Sequence, residues 1–218
     1  MIRDFGITWA HRDQILNGLA NTVWLSLSSA ALAFALGCLL AMALMVRARP
    51  LAAAGRYFVD TMRCVPFLLF AYLVYYGLPS FGIRFTNWGA GLVALTLYNA
   101  AYMAELLRAA WVGLSREMIE AGYAFGFVGV NLFRRIVLPP VILAAIPMIG
   151  NQLIQIIKDS AFLTIIAVPE LTHEASSIQA TYFVPFAAFV TAVLLYWVLC
   201  LIVEAAVAGI GRMAEARR

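Results

Sequence analysis

The chain has 218 residues, 64% of them hydrophobic and only 12% charged, against roughly 25% charged in an ordinary soluble domain. This composition excludes a water-soluble globule, and the lack of ~10-residue segments of alternating polarity excludes a transmembrane β-barrel. The net charge of +4 is bunched between apolar runs, where it reports membrane topology and not nucleic-acid binding. The expected class is an all-α polytopic membrane protein.

In chain order, residues 1–22 read as a short amphipathic N-terminal segment, periplasmic or interfacial, with Trp9 and Trp24 as interfacial anchors. No cleavable signal peptide is expected, because the first apolar run exceeds the ~7–15 residues of such a core. That run, Val23 to Val46, has 24 residues and no charge. As a helix it reaches ~36 Å, enough for a ~30 Å hydrocarbon core. A second span is expected at about 64–83, entering through Asp60 and Arg63, with Gly77 and Pro79 marking a turn at its far end. Further spans are expected at about 85–107, 136–158 and 183–203, before a basic tail at 209–218. Cys38, Cys64 and Cys200 read as buried, unpaired thiols. His11 and His173 fall on no motif and read as surface or interfacial residues.

Five spans put the termini on opposite sides. If the first loop is cytoplasmic, that side collects Arg47, Arg49, Arg56, Arg116, Arg134, Arg135, Arg212, Arg217 and Arg218, leaving Arg3, Arg12 and Arg84 opposite. Nine arginines against three place the N-terminus outside and the C-terminus in the cytoplasm. The loop over 115–135 is then cytoplasmic. Ser115 can cap a helix there, Glu117 complements its N-terminus, and Gly126 can close it in the left-handed conformation. A second short helix through Asn131–Arg135 would feed the fourth span. Two short helices form a knob suited to a groove in a soluble partner.

Glu120-Ala121-Gly122, then Gly126, then Ile136-x-Leu138-Pro139 keep a spacing that resembles the EAA loop of ABC importer permeases. Tyr75-Tyr76-Gly77-Leu78-Pro79, Ala101 to Arg108, Asn151-Gln152, Lys158-Asp159-Ser160 and Pro169-Glu170-Leu171 resemble the polar amino acid branch, the histidine/glutamine-type permeases. The resemblance covers residues 16–208 and implies a type I importer permease fold of five transmembrane helices with a cytoplasmic coupling helix. It implies ATPase coupling through Glu120, Ala121, Gly122, Gly126, Ile136, Leu138 and Pro139. The implied partners are two ABC ATP-binding subunits, which would hold ATP and Mg, a second permease and an extracytoplasmic amino acid-binding protein. The implied setting is the bacterial inner membrane. The chain departs from the family pattern at Gly122, Val128 and Pro140, and in Arg63-Cys64-Val65-Pro66 where R-G-T-P is usual.

Ionisable groups inside spans are costly and point to function or pairing. Asp60 with Arg63, and Glu105 with Arg108, are i,i+3 pairs able to neutralise each other. Gln152, Gln155 and Asp159 fall on one helical face below Pro147, with Asn151, Lys158 and Ser160 beside them. A polar stripe on an interrupted helix suits a substrate path, to which Arg63 and Pro66 are also assigned. The rival readings are a proton-coupled secondary transporter using Glu105 and Asp159, and a structural subunit without a path. The chain itself is not read as an enzyme: a Walker A loop needs Gly-Lys-[Ser/Thr], and the only lysine, Lys158, follows Ile157.

Overall fold

The computed structural model describes residues 2–45 and 48–215; Val46, Arg47, Arg217 and Arg218, which figured in the span and charge readings, lie outside the described residues. The described residues form helices and no strand. A short helix α1 (Ile2–Ala10) precedes α2 (Arg12–Met45), α3 (Arg49–Cys64) and α4 (Phe67–Tyr72). A π turn (Leu73–Gly77) and a 3-10 turn (Leu78–Phe81) extend α4, and α5 (Asn87–Val112) follows. Next come α6 (Arg116–Ala124), α7 (Gly129–Leu132) and, through a π turn (Phe133–Val137), α8 (Leu138–Ser160). A 3-10 turn (Ala161–Ile166), α9 (Leu171–Tyr182) and α10 (Pro185–Glu215) complete the chain.

Four helical stretches are long and apolar enough to cross a membrane: Arg12–Met45, Asn87–Val112, Gly129–Ile166 and Pro185–Met213. A fifth span exists only by joining α3 to the Phe67–Phe81 stretch, and these two are bent by 108°. The second span therefore differs from its expected form. Pro66 forces Val65 into an extended conformation (φ −88, ψ 134), which ends α3 and starts a new helix. Asp60 and Arg63 lie on the far arm of that bend. The helix also runs on past Gly77 and Pro79, and the turn comes at Gly82 with φ +82.

The first span also begins earlier than expected, at Arg12, because the polar residues ahead of Val23 have partners on α9 and in the turn just before it. Asn21 donates to the Pro169 carbonyl at 2.7 Å, Thr22 accepts from the Leu171 amide at 3.0 Å, and Gln14 donates to Glu174 at 2.6 Å. Glu170 caps α9, accepting from the Thr172 and His173 amides at 2.8 and 2.7 Å and from the Tyr196 hydroxyl at 2.7 Å. Short-range polarity made this segment look like a separate lead-in. Tertiary pairing makes it the first turns of a spanning helix, with Ile15, Gly18 and Thr22 buried against its neighbours.

The centre of the molecule is the α2–α5 contact. Ala30, Ala33, Gly37 and Ala41 on α2 are buried, as are Ala100, Met103 and Ala104 on α5. Small residues at helical spacing let the backbones approach closely where lipid offers no hydrophobic drive. At Gly37 the approach requires glycine: a Cβ there would lie 2.6 Å from Met103 Cβ and 3.2 Å from the Ala104 amide nitrogen. The three cysteines are unpaired as expected, but none is buried: Cys38 and Cys200 are half-buried and Cys64 is exposed at the Pro66 bend.

Candidate functional site

Gln152, Gln155 and Asp159 share one face of α8 and meet Tyr98 and Tyr102 of α5 around a cavity of about 260 Å³. Gln152 donates to Asn99 Oδ1 at 2.6 Å, and Asn99 donates in turn to the Leu95 carbonyl at 2.9 Å. Gln155 donates to Asp159 Oδ1 at 2.8 Å, while the other carboxylate oxygen, Oδ2, is buried without a hydrogen-bond partner. A buried carboxylate oxygen left unpaired is expensive unless a donor can reach it. The pocket therefore presents an acceptor facing a polar space. Tyr98 and Tyr102, one turn apart, close its wall with hydroxyls 3.4 Å apart.

Tyr102 also lines a second cavity of about 490 Å³ with Asp60, Arg63 and Cys64. Arg63 does not pair with Asp60 there. It faces α5 instead, with Nη1 4.0 Å from Glu105 Oε1. The Glu105–Arg108 pair forms as expected and is bidentate: Arg108 Nε donates to Oε2 at 2.8 Å and Nη2 to Oε1 at 2.6 Å. Glu105 thus joins α3 to α5. Pro66 begins α4 and does not line either cavity.

The remaining stripe residues are not brought to the pocket. Asn151 is exposed and lines a crevice between α8 and α10 with Glu204 and Arg212. Lys158 is exposed, and Ser160 donates to the Ile157 carbonyl at 2.7 Å near the end of its own helix. Asn99 and Tyr98 escaped the sequence reading. The available signal was Asn99 itself, the one amide in the apolar run 92–101.

The second candidate surface is the polar loop. Ser115 caps α6, accepting from the Met118 amide at 3.3 Å. Gly126 sits at φ +80, its amide bonded to the Tyr123 carbonyl at 2.9 Å and that of Phe127 to Gly122 at 3.0 Å. This pair of bonds is a complete Schellman closure. Val128 opens α7 with no side-chain cap. Gly122 is buried, and a Cβ on it would meet Leu132 Cδ1 at 2.6 Å, so the glycine lets α6 lie close over α7. Glu120, Ala121 and Pro139 are exposed, and Ile136 and Leu138 are half-buried. Phe125 (83% exposed), Val130 (78%) and Val128 (65%) form an apolar patch on this knob. Pro139 and Pro140 explain the π turn before α8, because their rings displace the carbonyls of Arg135 and Ile136.

Residues 33–213 match the family model described as "Binding-protein-dependent transport system inner membrane component". The probable glutamine ABC transporter permease protein GlnM of Bacillus subtilis is 33% identical over 184 residues, 84% of this chain and 85% of the relative. The octopine transport system permease protein OccQ of Rhizobium meliloti is 33% identical over 215 residues, 93% and 89% of the two chains. Among solved structures, a chain in the crystal structure of an amino acid ABC transporter with histidines is 25% identical with a TM-score of 0.91, covering 96% of this chain and 98% of that one. The inward-facing MetNI methionine ABC transporter, 19% identical with a TM-score of 0.78 over 94% of this chain and 98% of its own, shares the fold. On these matches the chain belongs to the family of binding-protein-dependent transport system inner membrane components, the permease subunits of ABC importers.

Proposed function

We propose that this permease translocates a polar amino acid delivered by an extracytoplasmic binding protein, driven by two copies of a separate ATPase subunit that hold ATP and Mg. It would act as a dimer with itself or a similar permease in a bacterial inner membrane, N-terminus outside and C-terminus in the cytoplasm. The observation that carries the ATPase coupling is the α6–α7 knob: Phe125 and Val128 are exposed in the turn between the capped α6 and α7, ahead of the long apolar stretch Gly129–Ile166, and Val130 is exposed in the first turn of that stretch. Solvated apolar residues clustered on a rigid knob mark an interaction surface. Phe125 and Val128 lie outside the stretches that are long and apolar enough to cross a membrane, so hydrocarbon does not account for their exposure. Docking through Glu120, Ala121, Gly122, Gly126, Ile136, Leu138 and Pro139 would carry nucleotide-driven closure straight into α8, since helix is continuous from Gly129 to Ile166.

For the substrate, the proposal assigns the α-amino group to the unpartnered Asp159 Oδ2 and the carboxylate to Arg63, across the shared wall at Tyr102. Gln155 holds the acceptor in place, and the Gln152–Asn99 bond joins α8 to α5 beside it.

The test is to tag the chain, extract it in mild detergent and identify what co-purifies. The expected result is a P-loop ATPase that is lost in Phe125→Asp. If the chain is recovered alone in several mild detergents, and uptake in vesicles follows the proton gradient instead of ATP, a proton-coupled transporter takes its place.

A further inference from the structure

A groove of about 560 Å³ lies where α1 and the start of α2 meet α10, far in sequence from the polar pocket and the α6–α7 knob. Its volume falls within the ~300–1,000 Å³ of small-molecule sites. Phe5 anchors α1 to α10 by an edge-on contact with Phe186, ring centres 6.3 Å apart. The walls beyond it are apolar, with Ile15 and Leu16 from α2 and Leu195 from α10. Two hydroxyls face the groove, and each is already satisfied by its own helix: Thr8 donates to the Asp4 carbonyl at 3.2 Å and Thr191 to the Ala187 carbonyl at 2.8 Å. The walls therefore ask nothing polar of an occupant.

The rim differs. Arg12 stands over Trp9, its guanidinium carbon 5.9 Å from the ring centre, and its nearest carboxylate is Asp13 at 3.9 Å with both side chains largely exposed. Trp9 itself is 70% exposed. An indole beside a cation at the end of a span is the chemistry of a membrane interface. A hydrocarbon-lined groove with one available guanidinium at its mouth is complementary to an acyl chain that carries a phosphate at its head. Gly6 lines the groove beside open space, since a Cβ placed on it meets no atom within 4 Å.

We propose that the α1–α2–α10 groove binds one phospholipid per chain, an acyl chain along Phe5, Gly6 and Leu16 and the phosphate on Arg12. The site is independent of the transport reading.

The test uses the full-length chain, extracted with its bound subunits, delipidated and titrated with dioleoyl phosphatidylglycerol while lipid retention is followed by native mass spectrometry. One tightly held lipid per chain is expected. Gly6→Leu fills the groove and should weaken retention about tenfold or more, and Arg12→Gln should weaken it about tenfold (about 1.4 kcal/mol by the tenfold rule). Gly6→Leu should not disturb folding, since leucine favours the helix and the added side chain enters open space. Gly209→Leu, also open around its Cβ but on the opposite part of α10, should retain lipid like the unaltered chain. Retention unchanged in both Gly6→Leu and Arg12→Gln would overturn the proposal. So would a photo-reactive group at residue 6 that captures a protein and not the lipid.

Discussion

At the scale of single residues, buried acids separate two jobs. Glu170 is fully buried, and burial pushes its pKa up to about 7, against the opposing hydrogen bonds from Tyr196 and from the Thr172 and His173 amides. A carboxyl that binds its proton more tightly folded than unfolded favours the folded state below the unfolded value. That advantage is lost as pH rises toward the folded value. The stability tied to Glu170 should therefore fall between about pH 4.5 and 7, by on the order of 3 kcal/mol if the full shift is expressed. The thermal midpoint measured from pH 5 to 8 should decline across that window. Glu170→Gln should flatten the decline while lowering the midpoint at pH 5, since the amide nitrogen of glutamine cannot accept the bonds that the second carboxyl oxygen takes from its neighbours. Asp159 has a different task, with Oδ2 unpartnered in a polar cavity. Asp159→Asn should reduce amino acid uptake about tenfold or more, the effect of losing a charge-assisted hydrogen bond, with assembly unchanged by size-exclusion chromatography.

At the scale of elements, the α6–α7 knob and the α2–α5 seam are rigid for different reasons. The knob depends on Gly126, whose φ of +80 disfavours any Cβ by roughly 1–2 kcal/mol. Gly126→Ala should speed hydrogen exchange at the Phe127 amide, which the Schellman bond to Gly122 protects, and should reduce nucleotide hydrolysis by the co-purified ATPase. The seam depends on interhelical distance. Gly37→Leu must move a side chain rooted at Met103 Cβ and approach the backbone of Ala104, so overpacking of about 1–3 kcal/mol or more is expected. A lower thermal midpoint and loss of the assembled complex would show it. Gly122 makes a gentler contrast, because the atom its Cβ would meet is the mobile end of Leu132.

At the scale of the whole molecule, one uninterrupted helical path joins the knob to the cavity. From Gly129 the chain passes through α7, the π turn and α8 to Asp159 without leaving helix. A π turn set by Pro139 and Pro140 is a place where such a path can flex without breaking. Relaxing it with Pro140→Ala, which spares the docking residues, should leave ATPase binding intact but reduce the hydrolysis-to-uptake coupling ratio, read in vesicles with matched ATP.

Local order was legible in the residues themselves. The Ser115 and Gly126 caps, the i,i+3 pair of Glu105 with Arg108 and the stripe from Gln152 to Asp159 all depend on neighbours within about two helical turns. Such spacing survives in any fold that keeps the helix. What the sequence left undecided lay between helices far apart in the chain. Asn99 meets Gln152 across 53 positions and Gln14 meets Glu174 across 160, so which faces touch depends on close approach at Gly37 and on packing against α9. Arg63 likewise meets Glu105 on α5 instead of Asp60, one turn away on its own helix. Periodicity sets which residues share a face of one helix. Only the packing of small residues and bends sets which faces meet, and that geometry turned a stripe of amides into a pocket around Asp159.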